Sequence, residues 1–187
     1  MRHHAPDGDA GGMTTHDEPA PEPGIYRIDP GRSVITFRTR HMFGLGPVRG
    51  TLRLSAGEIR VAGAPQASTV RAVADAASFH TGNPGRDRTV RSARLLNTGR
   101  YPDITFTSSR LTGEPSGQWA LHGLLSAAGN SHPVQLLIEQ ARSAGFEMRV
   151  EGTAAIDRYD FGVTAYKGLA ARHLSCRVEI VAVREER

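Results

Sequence analysis

Most of this chain alternates apolar and polar residues one by one, and no other feature restricts its fold as strongly. In residues 33–40, Ile35 and Phe37 share one face of the segment, and Arg38 and Arg40 share the other. Comparable segments follow at 48–61, 68–79, 104–106, 119–125, 134–138, 146–150 and 176–180. Successive side chains of a β-strand point to opposite faces of a sheet, so the pattern predicts antiparallel strands with one dry face.

The spacing of these segments suits a closed up-and-down barrel, which leaves no strand edge unpaired. We therefore predict an all-β fold, an antiparallel eight-stranded barrel with one or two short helices in its connections. Runs that contain glycine at 115–117, 128–130 and 144–145 indicate hairpin turns, and Gly57 indicates a β-bulge.

One connection has the signals of a helix. Asn83 can cap its first turn, Pro84 suits the first helical position, and Asp87 lies near the positive end of the helix dipole. Asn97 or Gly99 can adopt the left-handed conformation that ends many helices. The sequence therefore predicts a helix that begins after Asn83 and stops at one of these two residues.

The chain of 187 residues fits one domain. Residues 1–23 lack an apolar run, which predicts a flexible N-terminal tail before a barrel domain at 24–187. We find no apolar segment of the secretory-signal type and no run of roughly 20 apolar residues that could span a bilayer. We therefore expect no transmembrane segment and a cytoplasmic location, with an exported form as the alternative.

The chain is basic, with a net charge of +4, and Lys167 is its one lysine beside 22 arginines. The arginines are spread at strand-alternating spacing rather than gathered in a run, which favours a solvated barrel exterior. Aromatic residues make up 6% of the chain and fall on the apolar faces, so no stacking platform for a specific nucleic acid is expected. A barrel that binds nucleic acid weakly stays open as an alternative.

The sequence shows no catalytic constellation. It contains neither the Gly-x-Ser-x-Gly turn of many hydrolases nor a phosphate-binding loop, and its histidines from His80 onward lie too far apart to form a short-spaced metal-ligand pair. The single Cys176 lies in an alternating strand and is expected to be a buried thiol. We therefore expect no catalytic residues, metal or cofactor, although a small-molecule enzyme that uses a barrel cavity is a further alternative.

Two charged motifs allow both a structural and a functional interpretation. Arg86-Asp87 at the start of the helix could contact a ligand head group, but a cap and ion pair are favoured. Residues 157–160, Asp-Arg-Tyr-Asp, could supply an acid–base pair, but a turn scaffold is favoured. Both motifs are therefore predicted to organise the fold.

Four ordered segments resemble the YceI-like family of polyisoprenoid-binding, lipocalin-like proteins. They are residues 26–50, residues 77–106 with Thr81-Gly82-Asn83-Pro84-Gly85-Arg86-Asp87 and Tyr101-Pro102-Asp103-Ile104-Thr105-Phe106, residues 123–134, and residues 156–163. The resemblance spans about residues 24–183. The chain departs from the family pattern at Arg32-Ser33, Phe79-His80 and Leu95-Leu96, so its head-group or chain-length preference can differ.

Inward apolar residues alone suit either a filled core or a cavity, since eight-stranded barrels lie at that boundary. The resemblance implies a tunnel that holds a long-chain isoprenoid lipid, such as a polyprenyl quinone or its precursor, for binding, storage or transport without catalysis. It also implies a possible homodimer. Phe37, Phe106 and Phe161 match family motif positions. With the residues that alternation adds, the predicted ligand contacts are Phe37, Phe79, Ile104, Phe106, Phe146, Met148, Phe161 and Tyr166.

Overall fold

The computed structural model describes residues 21–41, 46–114 and 117–186. Within these ranges the chain forms a short helix, α1 (Pro84–Arg91), and nine strands: β1 (Gly24–Ile28), β2 (Val34–His41), β3 (Gly46–Val61), β4 (Thr69–His80), β5 (Asp103–Gly113), β6 (Trp119–Ala127), β7 (Asn130–Ala144), β8 (Glu147–Asp157) and β9 (His173–Arg184). Pro65–Ala67 and Arg158–Phe161 form 3-10 turns. Most of the predicted tail, residues 1–20, and the first two residues of the predicted turn at 115–117 lie outside the described residues.

The strands close into an antiparallel ring. Neighbours follow the order β3, β2, β9, β8, β7, β6, β5 and β4, and β4 pairs again with β3. β1 also lies between β3 and β9, beyond the end of β2, so β1 and β2 share one of eight wall positions. The predicted eight-stranded barrel is confirmed.

The shared wall position is interrupted at residues 29–33. Pro30 has no N–H to donate to a neighbouring strand, and a tight turn forms in which the Gly31 N–H donates to Asp29 Oδ1 over 2.9 Å. The buried Ser33 hydroxyl then bonds both backbone groups of Val181 in β9, accepting from its N–H at 3.0 Å and donating to its carbonyl at 3.2 Å. The Asp29 N–H also donates to the Val181 carbonyl, at 2.8 Å, so one backbone group and one serine side chain together connect this turn to β9.

The barrel has two different ends. We call one the helix end: it carries α1, the β6–β7 turn and the β8–β9 connection at 158–172. We call the other the hairpin end: it carries residues 21–23 and the β3–β4, β5–β6 and β7–β8 connections.

Helix α1 starts as predicted, because Asn83 Oδ1 accepts a hydrogen bond from the Arg86 N–H at 3.0 Å. Its predicted end at Asn97 or Gly99 is wrong, since the helix stops at Arg91. Ser92 leaves the helical conformation and both its N–H and hydroxyl bond the Thr89 carbonyl. Asn97 does adopt a left-handed φ of 49°, but in the turn that follows the helix.

The predicted bulge at Gly57 is also wrong. Gly57 pairs regularly with Ala72, and the register shifts instead between Thr51 and Arg53 and between Leu54 and Ala56. A side chain at Gly57 would collide with Ile28 on the neighbouring strand β1. This glycine is therefore required by close packing and not by an irregular backbone.

The most buried apolar cluster fills only one side of the barrel interior. It surrounds β1, where Tyr26 is fully buried and donates its hydroxyl to the Glu22 carbonyl over 2.8 Å. The other members come from β1, β3, β4, β8 and β9: Ile28, Leu54, Ile59, Ala74, Met148 and Ala182. The rest of the interior is open.

Candidate ligand-binding cavity

A cavity of about 1130 Å³ runs along the barrel interior. This volume exceeds the range of roughly 300–1,000 Å³ that is usual for small-molecule pockets. Its wall is formed by inward side chains of the strands, among them Ile35, Leu52, Ile104, Leu111, Leu125, Leu136, Val150, Ile156, Leu174 and Val178. The cavity reaches partly or fully exposed residues at both ends, at Gly63 and Gln140 at the hairpin end and at Leu169 at the helix end.

Seven of the eight predicted ligand contacts lie on the cavity wall, and six of them come in three pairs. Phe37 and Phe79 stack on each other with their ring centres 4.9 Å apart, while Ile104 and Phe106 face the cavity from β5. Phe161 and Tyr166 reach it from the connection at the helix end. Met148, the seventh, belongs both to the wall and to the packed cluster near β1.

Phe146, the eighth predicted ligand contact, lies outside the cavity wall. It lies in the β7–β8 turn with 60% of its surface exposed and does not contribute to the cavity wall. Strand alternation predicted the same face for Phe146 and Met148, but the strand begins only at Glu147. Gly145 adopts a left-handed φ of 59° just before Phe146, so the alternation does not extend into the turn.

Sequence reasoning missed the side chains that close the helix end. Val90, Leu95 and Leu96 line the cavity although they belong to α1 and the turn after it. Leu95-Leu96 is one of the places where the chain departs from the family pattern, and this departure was the signal that could have drawn attention to the pair. Trp119 at the hairpin end was also missed as a wall residue, although its strand pattern placed it on an apolar face.

Two phenylalanines of the wall lie against glycines of neighbouring strands. Phe37 is the register partner of Gly50, and a side chain at Gly50 would collide with the Phe37 ring and approach the His80 carbonyl oxygen to 2.5 Å. A side chain at Gly123 would come within 2.5 Å of the Phe106 ring. Each glycine therefore leaves the space that its aromatic neighbour occupies.

We expect Gly50→Ala to lower the free energy of unfolding by about 1–3 kcal/mol, because a close-packed site tolerates extra volume poorly. The backbone carbonyl of His80 cannot move without disturbing the β3–β4 ladder. Gly113→Ala is the matched control, since its nearest neighbour, Trp119 Cζ3, is 4.0 Å away. Urea unfolding measures both changes, and equal effects would contradict the packing argument.

Arg158 holds the connection that covers the helix end. It is buried, and its guanidinium donates to the carbonyls of Ala171 at 2.9 Å, Ala170 at 3.0 Å and Val163. Burial lowers the pKa of Arg158 from its ordinary value. The favoured interpretation of residues 157–160 as a turn scaffold is thereby supported, since this arginine has backbone partners on three sides.

Asp157 begins the same scaffold. Its carboxylate accepts from the Tyr159 N–H at 2.9 Å and from Arg172 Nε at 2.6 Å. Burial acts to raise the pKa of Asp157, but these two hydrogen bonds outweigh it, and the pKa is lowered. The carboxylate therefore stays ionised as a cap of the 3-10 turn.

The two residues of the Arg86-Asp87 motif have different roles. Asp87 is buried, and its Oδ1 accepts from the Thr81 N–H at 2.9 Å and from the Thr81 hydroxyl at 2.6 Å. His80 Nδ1 lies 3.2 Å from its other oxygen. Arg86 is half-buried and lines the cavity. Asp87 thus has the predicted structural role, whereas Arg86 faces the cavity.

Cys176 lies on the cavity wall between β2 and β8. Burial raises the pKa of the Cys176 thiol to about 11. The sequence predicted a buried thiol, but Cys176 is only half-buried, and its side chain borders the cavity. The raised pKa keeps the nucleophilic thiolate scarce at neutral pH.

We expect alkylation of native Cys176 by iodoacetamide at neutral pH to be at least about 100-fold slower than that of a thiol with a pKa of 9.0, because of its smaller thiolate fraction. The rate should rise with pH until about 11. Mass spectrometry of the labelled protein over a pH series measures this, with the urea-unfolded chain as control. A rate that levels off near neutral pH would contradict the assigned environment.

The described residues contain no group of three or more His, Cys, Asp or Glu side chains placed to hold a metal ion. In the same part of the chain no helix has the length and apolar character needed to cross a membrane.

Comparison with known proteins adds a family and a set of similar folds. The sequence profile of a family described as the YceI-like domain matches residues 26–183. The UPF0312 protein of Shewanella baltica strain OS185 is 27% identical over 157 residues, which cover 81% of this chain and 82% of the relative. The family resemblance found in the sequence is confirmed.

Two solved structures share the fold. The BcnA protein of Burkholderia cenocepacia superposes with a TM-score of 0.74 at 20% identity and covers 83% of this chain and 99% of its own. A polyisoprenoid binding domain from Saccharophagus degradans, implicated in plant cell wall breakdown, gives a TM-score of 0.64 at 17% identity, with 88% of this chain and 100% of that chain covered.

Proposed function

Because this chain belongs to the family of YceI-like domains, we propose that it binds a long-chain isoprenoid lipid in its barrel cavity and does not transform it. The observation that carries the proposal is the unfilled apolar interior, which extends from one end of the barrel to the other. One protein of similar fold is a polyisoprenoid binding domain from Saccharophagus degradans, and this similarity supports an isoprenoid ligand for the present chain.

The composition of the wall supports binding by apolar burial. Each methylene group that a ligand buries contributes roughly 0.8 kcal/mol, so a long prenyl chain gains enough to offset its loss of freedom. The ligand we propose is a polyprenyl quinone or its precursor, held for storage or transport. Its chain would lie along Phe37, Phe79, Ile104 and Phe106, with Met148, Phe161 and Tyr166 as further contacts.

The wall offers little for catalysis. Its titratable groups within the described residues are Arg40, Arg86, Glu139, Arg158, Tyr166 and Cys176, and it has no histidine or aspartate. Arg158 is committed to backbone carbonyls, and the pKa of Cys176 is raised. An acid–base pair that faces the ligand is therefore missing from this part of the structure, which supports a binding role.

The test is extraction of the protein purified under native conditions, followed by mass spectrometry of the organic phase. We expect a co-purifying polyprenyl species in stoichiometric amount. Ala72→Trp, which fills part of the cavity, should lose it, and Thr107→Trp, an exposed outward position on β5, should keep it. A protein without bound lipid that also fails to take up added long-chain ubiquinone would overturn the proposal.

A further inference from the structure

The two ends of the barrel differ in how their charges are compensated. At the hairpin end and on the adjoining wall, arginines pair with glutamates: Arg27 with Glu58 and Glu185, Arg60 with Glu58, Arg32 and Arg149 with Glu147, and Arg184 with Glu22. All the glutamates in the described residues lie on the wall or at this end, and none lies in the helix-end connections. The hairpin end is therefore close to electrically balanced.

The helix end carries cations without carboxylate partners. Arg86, Arg88 and Arg94 belong to α1 and the turn after it, and Lys167 belongs to the β8–β9 connection. None of the four forms an ion pair within the described part of the chain, and Arg88, Arg94 and Lys167 are exposed. We call the three exposed residues the basic surface, and Arg86 faces the cavity beside them.

The carboxylates nearest to the basic surface are occupied or lie outside it. Asp87 is buried against Thr81, Asp157 pairs with Arg172, and Asp160 lies 3.4 Å from His132. Asp75 and Asp103 face each other on the outer wall where β4 meets β5. None of these carboxylates pairs with the basic surface, and the cations of the helix-end connections outnumber the carboxylates there, so a net positive charge faces the solvent.

An apolar residue marks the opening of the cavity on the same end. Leu169 lines the cavity and leaves 53% of its surface exposed, two residues after Lys167. A large exposed apolar side chain beside cations suits the boundary between lipid head groups and acyl chains.

We propose that the helix end docks onto anionic lipid bilayers, with the basic surface against the head groups and Leu169 entering the interface. Anionic head groups attract the unpaired cations of the helix end, whereas the paired charges of the hairpin end offer no comparable net attraction. The inference rests on the proposed function in one respect: docking by this end places an opening of the cavity at the source of an apolar ligand.

The test is co-sedimentation with vesicles of phosphatidylcholine alone and with vesicles of equimolar phosphatidylcholine and phosphatidylglycerol. We expect binding only to the anionic vesicles, and weaker binding as salt rises. The double variant Arg88→Ser/Arg94→Ser should bind roughly 25-fold more weakly, about fivefold for each cation, which corresponds to ~1 kcal/mol per charge. Equal binding to both kinds of vesicle would overturn the proposal.

A matched variant separates a local surface from a general effect of net charge. Arg60→Ser/Arg149→Ser removes the same charge from the hairpin end and should not weaken vesicle binding, since both arginines pair with glutamates. A loss as large as that of the helix-end variant would contradict the proposal. Uptake of long-chain ubiquinone from detergent, without vesicles, is measured on every variant, so a failure of ligand binding is distinguished from a failure of docking.

Fluorescence identifies the end that meets the bilayer. Trp119 is the only tryptophan and lies at the hairpin end. In a Trp119→Phe background, the fluorescence emission of a Leu169→Trp variant should shift to shorter wavelength when the ligand-free protein meets anionic vesicles. The emission of Trp119 in the unsubstituted protein should not shift. The reverse pattern would place the hairpin end at the bilayer and overturn the proposal.

Discussion

Replacing Ala72 with tryptophan should lower the affinity for a long-chain ubiquinone about 100-fold. Ala72 lies on the cavity wall in β4, opposite Phe106 of β5, and contributes no more than a methyl group to the interior. A tryptophan there that displaces three or four methylene groups of a bound chain removes roughly 3 kcal/mol of apolar burial. Isothermal titration calorimetry in detergent measures the loss.

Thr107→Trp is the control for this substitution. Thr107 follows Phe106 in β5, but its side chain is exposed and does not line the cavity. The variant should bind as the natural protein does, and both variants should unfold cooperatively at similar urea concentrations. Unchanged affinity in a folded Ala72→Trp protein would show that the ligand does not occupy this part of the barrel.

The second large effect is expected for Arg158→Met, which should lower the free energy of unfolding by about 3 kcal/mol. The substitution keeps an apolar stem but leaves the carbonyls of Val163, Ala170 and Ala171 without their donor. For a domain of this size such a loss lowers Tm by roughly 6–12 °C. Differential scanning calorimetry measures the shift.

Arg172→Met tests whether the loss of stability in Arg158→Met comes from the burial and the backbone partners of Arg158. Arg172 belongs to the same connection, but 53% of its side chain is exposed where it pairs with Asp157. Exposed ion pairs contribute about 1 kcal/mol or less, so the expected Tm change is small. If the two arginine variants had the same Tm, the three carbonyl contacts of Arg158 would not be what stabilises the helix end.

The sequence predicted the barrel because the period of a strand is visible in the sequence itself. The alternation of Ile35 and Phe37 with Arg38 and Arg40 fixes which side chains face inward before any partner strand is known. The cap at Asn83 was equally local, since it involves only the residue three positions later. The end of α1 was missed because Ser92 competes for the carbonyl of Thr89, and several residues after it could have ended the helix.

Alternation was less reliable where a strand ends. Met148 and Phe146 have the same parity, yet only Met148 lies inside the barrel. Gly57 was predicted as a bulge and Gly50 as an ordinary strand position, but each makes room for a side chain of a neighbouring strand, Ile28 and Phe37 respectively. Such reasons depend on register, and the register is set by pairing across the whole ring.

The strand pattern, the inward face and the start of the helix follow from the sequence alone, because each depends on residues close together in the chain. The open cavity behind the inward face becomes visible only in the folded barrel. The same apolar residues can fill a barrel or line it, and the outcome depends on how far apart the closed ring holds its walls. The fold also sets the charge difference between the two ends. Arginines and glutamates far apart in sequence pair at the hairpin end, whereas the exposed arginines at the helix end have no carboxylate partner within the described residues.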